Sequence, residues 1–263
     1  MSEPGSASFD FSGRTVLVTG ASRGIGFAVA KDFADAGADL IILADDEAIF
    51  EAAKALGRDD NHPVRALQCD IADSAAVTAA FREIRKIDIL VNNAGLERIT
   101  PVLEPDSNTD ETFRRIIDIN VMGTWHVTRS AVGKMQAGSS IVITCSIWSH
   151  TAVSEFSAYC SSKHANLGFL RSMAPELAPK GIRVNGVCPG WVRTDASMRS
   201  LKMMAERSGR SEPAMLEEIV GNQLLGGLME PGDVSATYLF LASDAAASIT
   251  GQTVSVNRGE LMC

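Results

Sequence analysis

Short apolar runs alternate with amphipathic segments along most of this chain of 263 residues. The runs are rich in β-branched residues, which is typical of buried parallel strands, and the segments between most of them repeat apolar residues at helical spacing. This alternation predicts an α/β fold with a doubly wound parallel sheet of about seven strands and helices on both faces. The predicted strands cover residues 15–18, 40–43, 64–69, 87–91, 140–144, 183–188 and 253–256.

Nothing in the composition divides the chain into separate parts. It has no Pro/Ser/Gly-rich linker and no solenoid-type repeat, and an apolar fraction of 46% suffices for a sizeable core. We therefore expect a single domain over residues 1–263, with a flexible Ser/Gly-rich N-terminus at 1–10. Residues 1–13 lack the basic region and apolar core of a secretory signal, and no apolar stretch is long enough to span a bilayer.

Charge and cysteine usage exclude several classes of partner. A net charge of −8 argues against nucleic acid and against anionic membranes. The five cysteines form no C-x-x-C pair, and the four histidines show no metal-ligand spacing. These counts favour buried reduced thiols, no bound metal and a cytoplasmic location.

A glycine-rich turn follows the first predicted strand and precedes a helical pattern. Its glycines, Gly20, Gly24 and Gly26, have the spacing G-x-x-x-G-x-G and not G-x-G-x-x-G. Glycine lets the backbone approach a pyrophosphate closely, and a helix N-terminus offers free N–H groups and the positive end of its dipole. The turn is therefore predicted to bind a dinucleotide. A tight strand–helix turn without a ligand is the alternative.

Tyr159 and Lys163 stand four positions apart in a predicted helix over 159–178, so their side chains lie on one face. A free phenol has a pKa of about 10, which is too high for a base at neutral pH. A nearby ammonium group stabilises the phenolate and lowers this pKa. The pair is therefore predicted to move a proton to or from an alcohol or ketone near pH 7.

These motifs, with others between and beyond them, resemble the full motif series of the short-chain dehydrogenase/reductase family. The resemblance runs from about Phe11 to Gly259, and it implies a Rossmann-type fold, a homotetramer, and an NAD(P)-dependent oxidoreductase that interconverts a secondary alcohol and a ketone by hydride transfer. The matching motifs, in order, are Thr19-Gly-x-x-x-Gly24-x-Gly26, Asn92-Asn93-Ala94-Gly95, Asn120, Ser146, Tyr159-x-x-x-Lys163 and Pro189-Gly190.

The resemblance implies a role for each of four catalytic candidates. Tyr159 passes the proton, and Ser146, thirteen positions before it, hydrogen-bonds the same substrate oxygen. Lys163 lowers the pKa of Tyr159 and hydrogen-bonds the nicotinamide ribose. Asn120 matches the family position that holds a water molecule in a proton relay behind the lysine. An asparagine inside a helix is unfavourable by propensity, so its presence asks for a reason.

The resemblance also implies the cofactor contacts. Asp70 and Ile71 look like the adenine clamp, although Asp70 also fits a helix N-cap, a place that Asp73 or Ser74 would fill better. The cofactor-binding candidates are Gly20, Ser22, Arg23, Gly24, Ile25, Gly26, Asp45, Asp70, Ile71, Asn93, Ala94, Gly95, Tyr159, Lys163, Pro189, Gly190, Val192 and Thr194.

The choice between NAD and NADP depends on conflicting charges. Arg23 could reach an adenosine 2′-phosphate, and Ala44 stands where NAD enzymes of the family usually place an aspartate. The acids Asp45, Asp46 and Glu47 follow, and a carboxylate there repels a phosphate but accepts a hydrogen bond from a ribose 2′-hydroxyl. Three acids outweigh one arginine, which could itself pair with Asp45, so NAD(H) is favoured and NADP(H) is the alternative.

The sequence indicates less about the substrate-binding residues than about the cofactor-binding residues. Residues 191–227 occupy the place of the family's substrate loop, and their methionines suit either an adaptable apolar flap or ordinary helix packing. By position, the pocket candidates hint at a modest, partly polar alcohol or ketone as the small-molecule partner. They are Glu97, Arg98, Trp148, His150, Trp191 and Met198.

Three other functions are alternatives: a catalytically silent nucleotide-binding regulator, a 3-oxoacyl-carrier-protein reductase using NADPH, and a sugar-nucleotide epimerase or dehydratase. The four catalytic candidates argue against the first, and the glycine spacing argues against the last. Two departures from the family pattern stand out. Pro175 should kink or end its helix, and Val256-Asn257-Arg258-Gly259 replaces a common Val-Asp-Gly-Gly, which could alter tetramer packing.

Overall fold

The computed structural model describes residues 8–57, 63–104 and 107–262. Its centre is a seven-stranded parallel sheet in the order β3-β2-β1-β4-β5-β6-β7. All seven predicted strands are present, with ends that differ by no more than two residues, so the predicted α/β fold class is confirmed. The strands are β1 Thr15–Thr19, β2 Asp39–Ala44, β3 Arg65–Gln68, β4 Ile89–Asn92, β5 Ser140–Thr144, β6 Arg183–Pro189 and β7 Thr253–Val256.

Helices connect the strands and cover both faces of the sheet. They are α1 Gly24–Asp35, α2 Ala48–Leu56, α3 Ser74–Phe81, α4 Ser107–Ile117, α5 Thr124–Val132, α6 Ser157–Leu177, α7 Asp195–Ser208, α8 Glu212–Gly221 and α9 Gly232–Ala242. The helix predicted over 159–178 is α6. It passes through Pro175 and ends two residues later, at Leu177, where a 3₁₀ turn at Ala178–Lys180 follows.

Alternate residues of the central strands face opposite sides of the sheet. Val16 and Val18 of β1 pack in a cluster with α1, α2 and α9, whereas Leu17 packs in a second cluster with α3, α5 and α6. All three side chains are fully buried. Both faces of β1 are therefore covered, which explains why its sequence is continuously apolar instead of alternating.

The start of the chain is partly described. Residues 1–7 of the predicted flexible terminus lie outside the described residues. Phe9 lies against Phe11, with ring centroids 6.3 Å apart, and packs on the cluster beside α1. This part of the terminus is therefore packed.

Three further features concern the described residues only. Cys69, Cys145, Cys160 and Cys188 are buried free thiols, as predicted, while Cys263 lies outside the described range. No group of three or more His, Cys, Asp or Glu side chains in the described ranges is arranged to hold a metal ion. Within those ranges, no helix combines the length and apolar character needed to cross a membrane.

Candidate active site

A cleft of about 540 Å³ opens beside the carboxyl ends of β1 and β4. The strand order runs outward in both directions from this pair, so the connections after β1 and β4 diverge and leave a crevice between them. Most of the predicted cofactor residues line it. They are Gly20, Ser22, Arg23, Gly24, Ile25, Asp45, Asp70, Ile71, Asn93, Ala94, Gly95, Tyr159, Lys163 and Thr194.

The turn between β1 and α1 has room for backbone but not for side chains at two glycines. Gly20 has a φ of +65°, and a Cβ there would lie 2.7 Å from the Ala94 Cα. A Cβ at Gly26 would lie 2.1 Å from the Gly20 carbonyl oxygen. Helix α1 begins at Gly24, and the side chain of Arg23 does not cap it. The free N–H groups of its first turn fit a pyrophosphate, so the residues present suit a dinucleotide.

Hydrogen bonds between strand ends hold this turn in place. The Asn93 side-chain amide donates to the carbonyl oxygens of Thr19 and Gly20, each at 3.2 Å, and its oxygen accepts from the Thr144 hydroxyl at 3.1 Å. The Thr19 hydroxyl accepts from the backbone N–H groups of Asn93 and Ala94, both at 3.0 Å. Asn93 therefore lines the cleft with its backbone while its side chain joins β1, β4 and β5.

Arg23 and the acids after β2 lie at the far end of the cleft. Arg23 forms an ion pair with Asp46, whose carboxylate also lies 3.5 Å from the Ser22 hydroxyl. The predicted pairing of Arg23 with Asp45 is therefore wrong, because the chain turns after β2 and brings the next residue to the guanidinium. Asp45 is exposed and lines the cleft.

Asp70 has two partners in the structure. One carboxylate oxygen accepts from the Ala72 N–H at 2.9 Å, and the other lies 2.7 Å from the Arg115 guanidinium of α4. Asp73 caps α3 by accepting from the N–H groups of Ala75 and Ala76. Asp70 is thus free of the capping role, as predicted. Sequence reasoning missed Arg115, because nothing in the local pattern marks a contact across 45 positions.

Tyr159 and Lys163 lie on α6 facing the base of the cleft. Lys163 is buried, and its ammonium donates to the Thr144 carbonyl oxygen at 2.7 Å. The ammonium nitrogen lies 5.4 Å from the centroid of the Tyr159 ring. The one-turn spacing therefore brings the two side chains together, and the end of β5 holds the lysine.

The pKa of Tyr159 differs from the prediction. Burial raises the pKa of Tyr159 well above its ordinary value, and the nearby Glu97 carboxylate raises it further, whereas the hydrogen bond with Ser146 lowers it. Burial also lowers the pKa of Lys163. Sequence reasoning predicted a lowered pKa for Tyr159, whereas the net shift of this pKa in the structure is upward, because desolvation of the phenolate dominates. Tyr159 is therefore protonated at neutral pH.

Ser146 follows β5 and caps a 3₁₀ turn at Ile147–Ser149. Its hydroxyl accepts from the Trp148 N–H at 3.1 Å and lies within hydrogen-bonding reach of the Tyr159 phenol. The two hydroxyl groups line a small pocket of about 90 Å³ that borders the cleft. Other predicted residues in its lining are Ile25, Glu97, Trp148, Pro189, Gly190, Trp191, Val192 and Thr194.

Asn120 lies in a π-helical segment, Asp118–Gly123, between α4 and α5. Its side chain accepts from the Leu96 N–H at 2.7 Å and donates to the Leu96 carbonyl at 3.0 Å and to the Ser162 hydroxyl at 2.9 Å. These bonds tie the loop after β4 to α6 and supply the reason for an asparagine inside a helix. Both side-chain N–H groups and one lone pair of the amide oxygen are engaged, so the remaining lone pair of that oxygen is the part of the side chain left for a relay water.

The substrate candidates separate into two groups. Glu97, Trp148 and Trp191 line the small pocket. The His150 ring instead lies 3.6 Å from the Cys188 sulfur and 3.4 Å from the Thr253 hydroxyl, towards β6 and β7. Met198 packs beside Trp191 in a cluster with Leu201, Ala205 and Met215.

Residues 191–227 form α7 and α8 and the segments that flank them. Met203 and Met204 pack against Ile99, Phe156 and Cys160. Of the two interpretations of these methionines, the structure therefore favours helix packing. Two residues of α7 that sequence reasoning missed, Arg199 and Ser200, lie near Glu97. Their only sequence signal is their place in the predicted substrate loop.

Comparison with known proteins agrees with this geometry. A family model described as enoyl-(acyl carrier protein) reductase matches residues 20–260, which include the glycine turn and the Ser146, Tyr159 and Lys163 site. The chain belongs to the short-chain dehydrogenase/reductase family. As a member of that family it is an oxidoreductase that uses a nicotinamide cofactor.

Relatives extend along almost the whole chain. Oxidoreductase UcpA of Salmonella typhimurium is 36% identical over 258 residues, covering 95% of each chain. The structure of L-sorbose reductase from Gluconobacter frateurii with NADPH and L-sorbose has a TM-score of 0.88 at 26% identity, covering 98% of this chain and 100% of that one. Carveol dehydrogenase from Mycobacterium avium with NAD has a TM-score of 0.87 at 28% identity, covering 96% and 99%.

Proposed function

We propose that this protein interconverts a secondary alcohol and a ketone, with Tyr159 as the proton donor and acceptor and NAD(H) as the favoured cofactor. The observation that carries the proposal is the small pocket where the hydroxyl groups of Ser146 and Tyr159 meet, at the base of the cleft behind the glycine turn. A substrate oxygen placed between these hydroxyl groups would receive two hydrogen bonds.

The cleft suits the cofactor along its length. The N-terminus of α1 would hold the pyrophosphate, Asp70 and Ile71 the adenine, and Pro189, Gly190, Val192 and Thr194 the nicotinamide end. When bound, the nicotinamide supplies or accepts the hydride. The protein's own contribution is to place the substrate carbon against it and to move the proton.

Tyr159 supplies that proton. Burial keeps its phenol protonated at neutral pH, so the site is ready to protonate the oxygen of a ketone as it becomes an alkoxide. Ser146 holds the same oxygen in line. In the oxidative direction Tyr159 takes the proton back, which requires a phenolate and favours higher pH.

Lys163 and Asn120 support the site from behind. Lys163 is positioned to hydrogen-bond the nicotinamide ribose, because its ammonium is buried at the base of the cleft. The proposed relay water would bond to the remaining lone pair of the Asn120 amide oxygen, because the side-chain N–H groups are engaged with Leu96 and Ser162. Both roles rest on the family pattern and on these positions.

Two charges support NAD over NADP. The ion pair with Asp46 neutralises Arg23, and Asp45 faces the cleft with a carboxylate that repels a 2′-phosphate. The same carboxylate would accept a hydrogen bond from a free 2′-hydroxyl. Arg23 is the group that would serve NADP if the pair with Asp46 opened.

A 3-oxoacyl-carrier-protein reductase using NADPH is the second candidate, because 3-oxoacyl-[acyl-carrier-protein] reductase FabG of Rickettsia bellii is 34% identical over 257 residues, covering 96% of this chain and 99% of that one. Consumption of NADPH with an acetoacetyl thioester, and not with simple ketones, would favour it. The homotetramer also stays a proposal. Exposed Phe113, Met122 and Trp125 on the surface around α4 and α5 support it, and sedimentation equilibrium tests it.

The decisive experiment compares two tyrosines. We expect Tyr159→Phe to lose more than about 95% of kcat while the Kd for NADH stays within a few-fold, because only the transferable proton is removed. Tyr238→Phe is the matched control. It removes the hydroxyl of a buried tyrosine that bonds Thr144 at 2.8 Å, so it should lower stability by about 1 kcal/mol and keep most of kcat.

A Tyr159→Phe enzyme that retained a substantial rate would exclude the proposed role. Wild-type protein that binds NADH but shows no absorbance change with any alcohol or ketone would instead favour the silent regulator.

A further inference from the structure

Two buried polar atoms in the lining of the small pocket lack a hydrogen-bond partner in the described part of the chain. They are Oε1 of Glu97 and Nε1 of Trp191. Buried polar atoms in native proteins nearly always have a partner, because leaving one unpaired costs its full desolvation penalty. Two such atoms beside Ser146 and Tyr159 therefore indicate groups of the substrate that complete the bonding.

Glu97 lies where the cleft and the small pocket meet, since it lines both. The Ser200 hydroxyl of α7 lies within hydrogen-bonding reach of its carboxyl group, which leaves the other oxygen unpaired. A carboxyl oxygen accepts a hydrogen bond when ionised and can donate one when protonated. The carboxyl group is close enough to Tyr159 for its charge to raise the pKa of the phenol. Whatever it binds is therefore near the reacting carbon.

Trp191 contributes a hydrogen-bond donor to the pocket. Its indole packs at the wall of the pocket, with its centroid 6.3 Å from that of Trp148, and its N–H can only donate. A ligand that satisfies both residues must accept from Trp191 and bond with a carboxyl group. A hydroxyl group does both whether Glu97 is ionised or protonated, whereas a ketone or ether oxygen does so only with a protonated Glu97, and an alkyl chain does neither.

Charge argues against an amine in the same place. Lys163, Arg98 and Arg199 are all near enough to Glu97 to lower its pKa by their charges. An ammonium group on the substrate would add a fourth positive charge to this cluster. A neutral hydroxyl avoids that repulsion.

We infer that the substrate is polyhydroxylated, with at least one hydroxyl group next to the reacting carbon, and that Glu97 and Trp191 recognise the neighbouring hydroxyl groups. The inference rests on the proposed alcohol–ketone activity and narrows it to vicinal diols, polyols and their hydroxyketones. The aromatic walls formed by Trp148 and Trp191 would contact the C–H face of such a carbon chain or ring.

The test uses matched alcohols: butane-2,3-diol against butan-2-ol, and cyclohexane-1,2-diol against cyclohexanol. With NAD, wild-type kcat/KM for each diol should exceed that for its mono-alcohol by at least about tenfold, because the mono-alcohol leaves buried polar groups unpaired. Glu97→Gln keeps the shape of the side chain, and Trp191→Phe keeps an aromatic ring but removes the N–H donor. Each should reduce this ratio at least about threefold by lowering kcat/KM for the diol, with the Kd for NADH unchanged.

Glu176→Gln makes the same chemical change as Glu97→Gln at an exposed position on α6, and should leave the ratio as in the wild type. Equal wild-type kcat/KM for diols and mono-alcohols would overturn this inference without affecting the proposed activity. A ratio of diol to mono-alcohol kcat/KM that stayed unchanged in both pocket variants would do the same. If no alcohol or ketone changes the nicotinamide absorbance, the proposed activity is refuted, and the inference that rests on it is refuted as well.

Discussion

Replacing Gly26 with alanine tests the glycine turn most directly. The new Cβ would lie 2.1 Å from the Gly20 carbonyl oxygen and 2.4 Å from the Asn93 amide nitrogen. Contacts of this kind are not found below 3.0 Å, so the turn or the asparagine must move by about 1 Å. Both neighbours belong to the network that joins β1 to β4, and neither is the end of a long flexible side chain.

The size of the effect follows from two opposing contributions. Overpacking of this kind costs about 1–3 kcal/mol of unfolding free energy, and alanine in α1 recovers up to about 1 kcal/mol of helix propensity. The net loss of stability is therefore at most about 3 kcal/mol, and about 2 kcal/mol when the full gain in helix propensity is realised, so the variant should fold. Cofactor binding should suffer more specifically, because a displaced turn misaligns the N–H groups at the start of α1. We expect the Kd for NADH to rise at least about tenfold, equivalent to about 1.4 kcal/mol.

The assay is fluorescence titration with NADH, paired with urea unfolding of each variant. Gly133→Ala is the matched control, because Gly133 has φ −66° and ψ −11°, which alanine adopts readily, and a Cβ there meets nothing within 4 Å. It should stabilise the protein by about 0.4–1 kcal/mol and leave the Kd unchanged. Wild-type affinity for NADH in Gly26→Ala would refute the assignment of this turn to the cofactor.

Two further predictions concern carboxylates. Asp45→Ser should raise kcat/KM for NADP by more than it lowers kcat/KM for NAD, as measured by steady-state kinetics with both cofactors; a wild-type enzyme that already prefers NADP tenfold would contradict this. Burial raises the pKa of Glu97, so its contribution to stability is present below its unfolded pKa and is lost as pH rises through its folded pKa. Between pH 4 and pH 8 the urea midpoint of the wild type should therefore fall relative to that of Glu97→Gln. A difference between the two midpoints that stayed constant over this range would argue against a buried acid at position 97.

Features that depend on neighbouring residues were predicted well from the sequence. The seven strands and α6 follow from apolar runs and helical spacing, and the position of the glycine turn follows from glycines between a strand and a helix. The approach of Lys163 to Tyr159 depends only on the pitch of a helix. These signals are local, because backbone geometry repeats over a few residues whatever the rest of the chain does.

Features that depend on distant residues required the tertiary structure. The pKa of Tyr159 is set by burial and by Glu97, and burial is a property of the packed site. Asp46, not Asp45, pairs with Arg23, because the turn after β2 decides which carboxylate reaches the guanidinium. His150 could equally have faced the pocket, but its ring contacts Cys188 and Thr253 instead.

The unpaired atoms of Glu97 and Trp191 belong to the same class. The sequence identifies both as pocket candidates, but whether a polar atom has a partner depends on every group around it. Those groups come from β4, β5, β6 and α7, which lie far apart in the chain. The sequence by itself therefore determined the fold and indicated the candidate reacting groups, through local periodicity and spacing. Only the packed structure decided protonation, ion pairing and the polarity of the substrate pocket, because these depend on distances and solvent exclusion between segments remote in sequence.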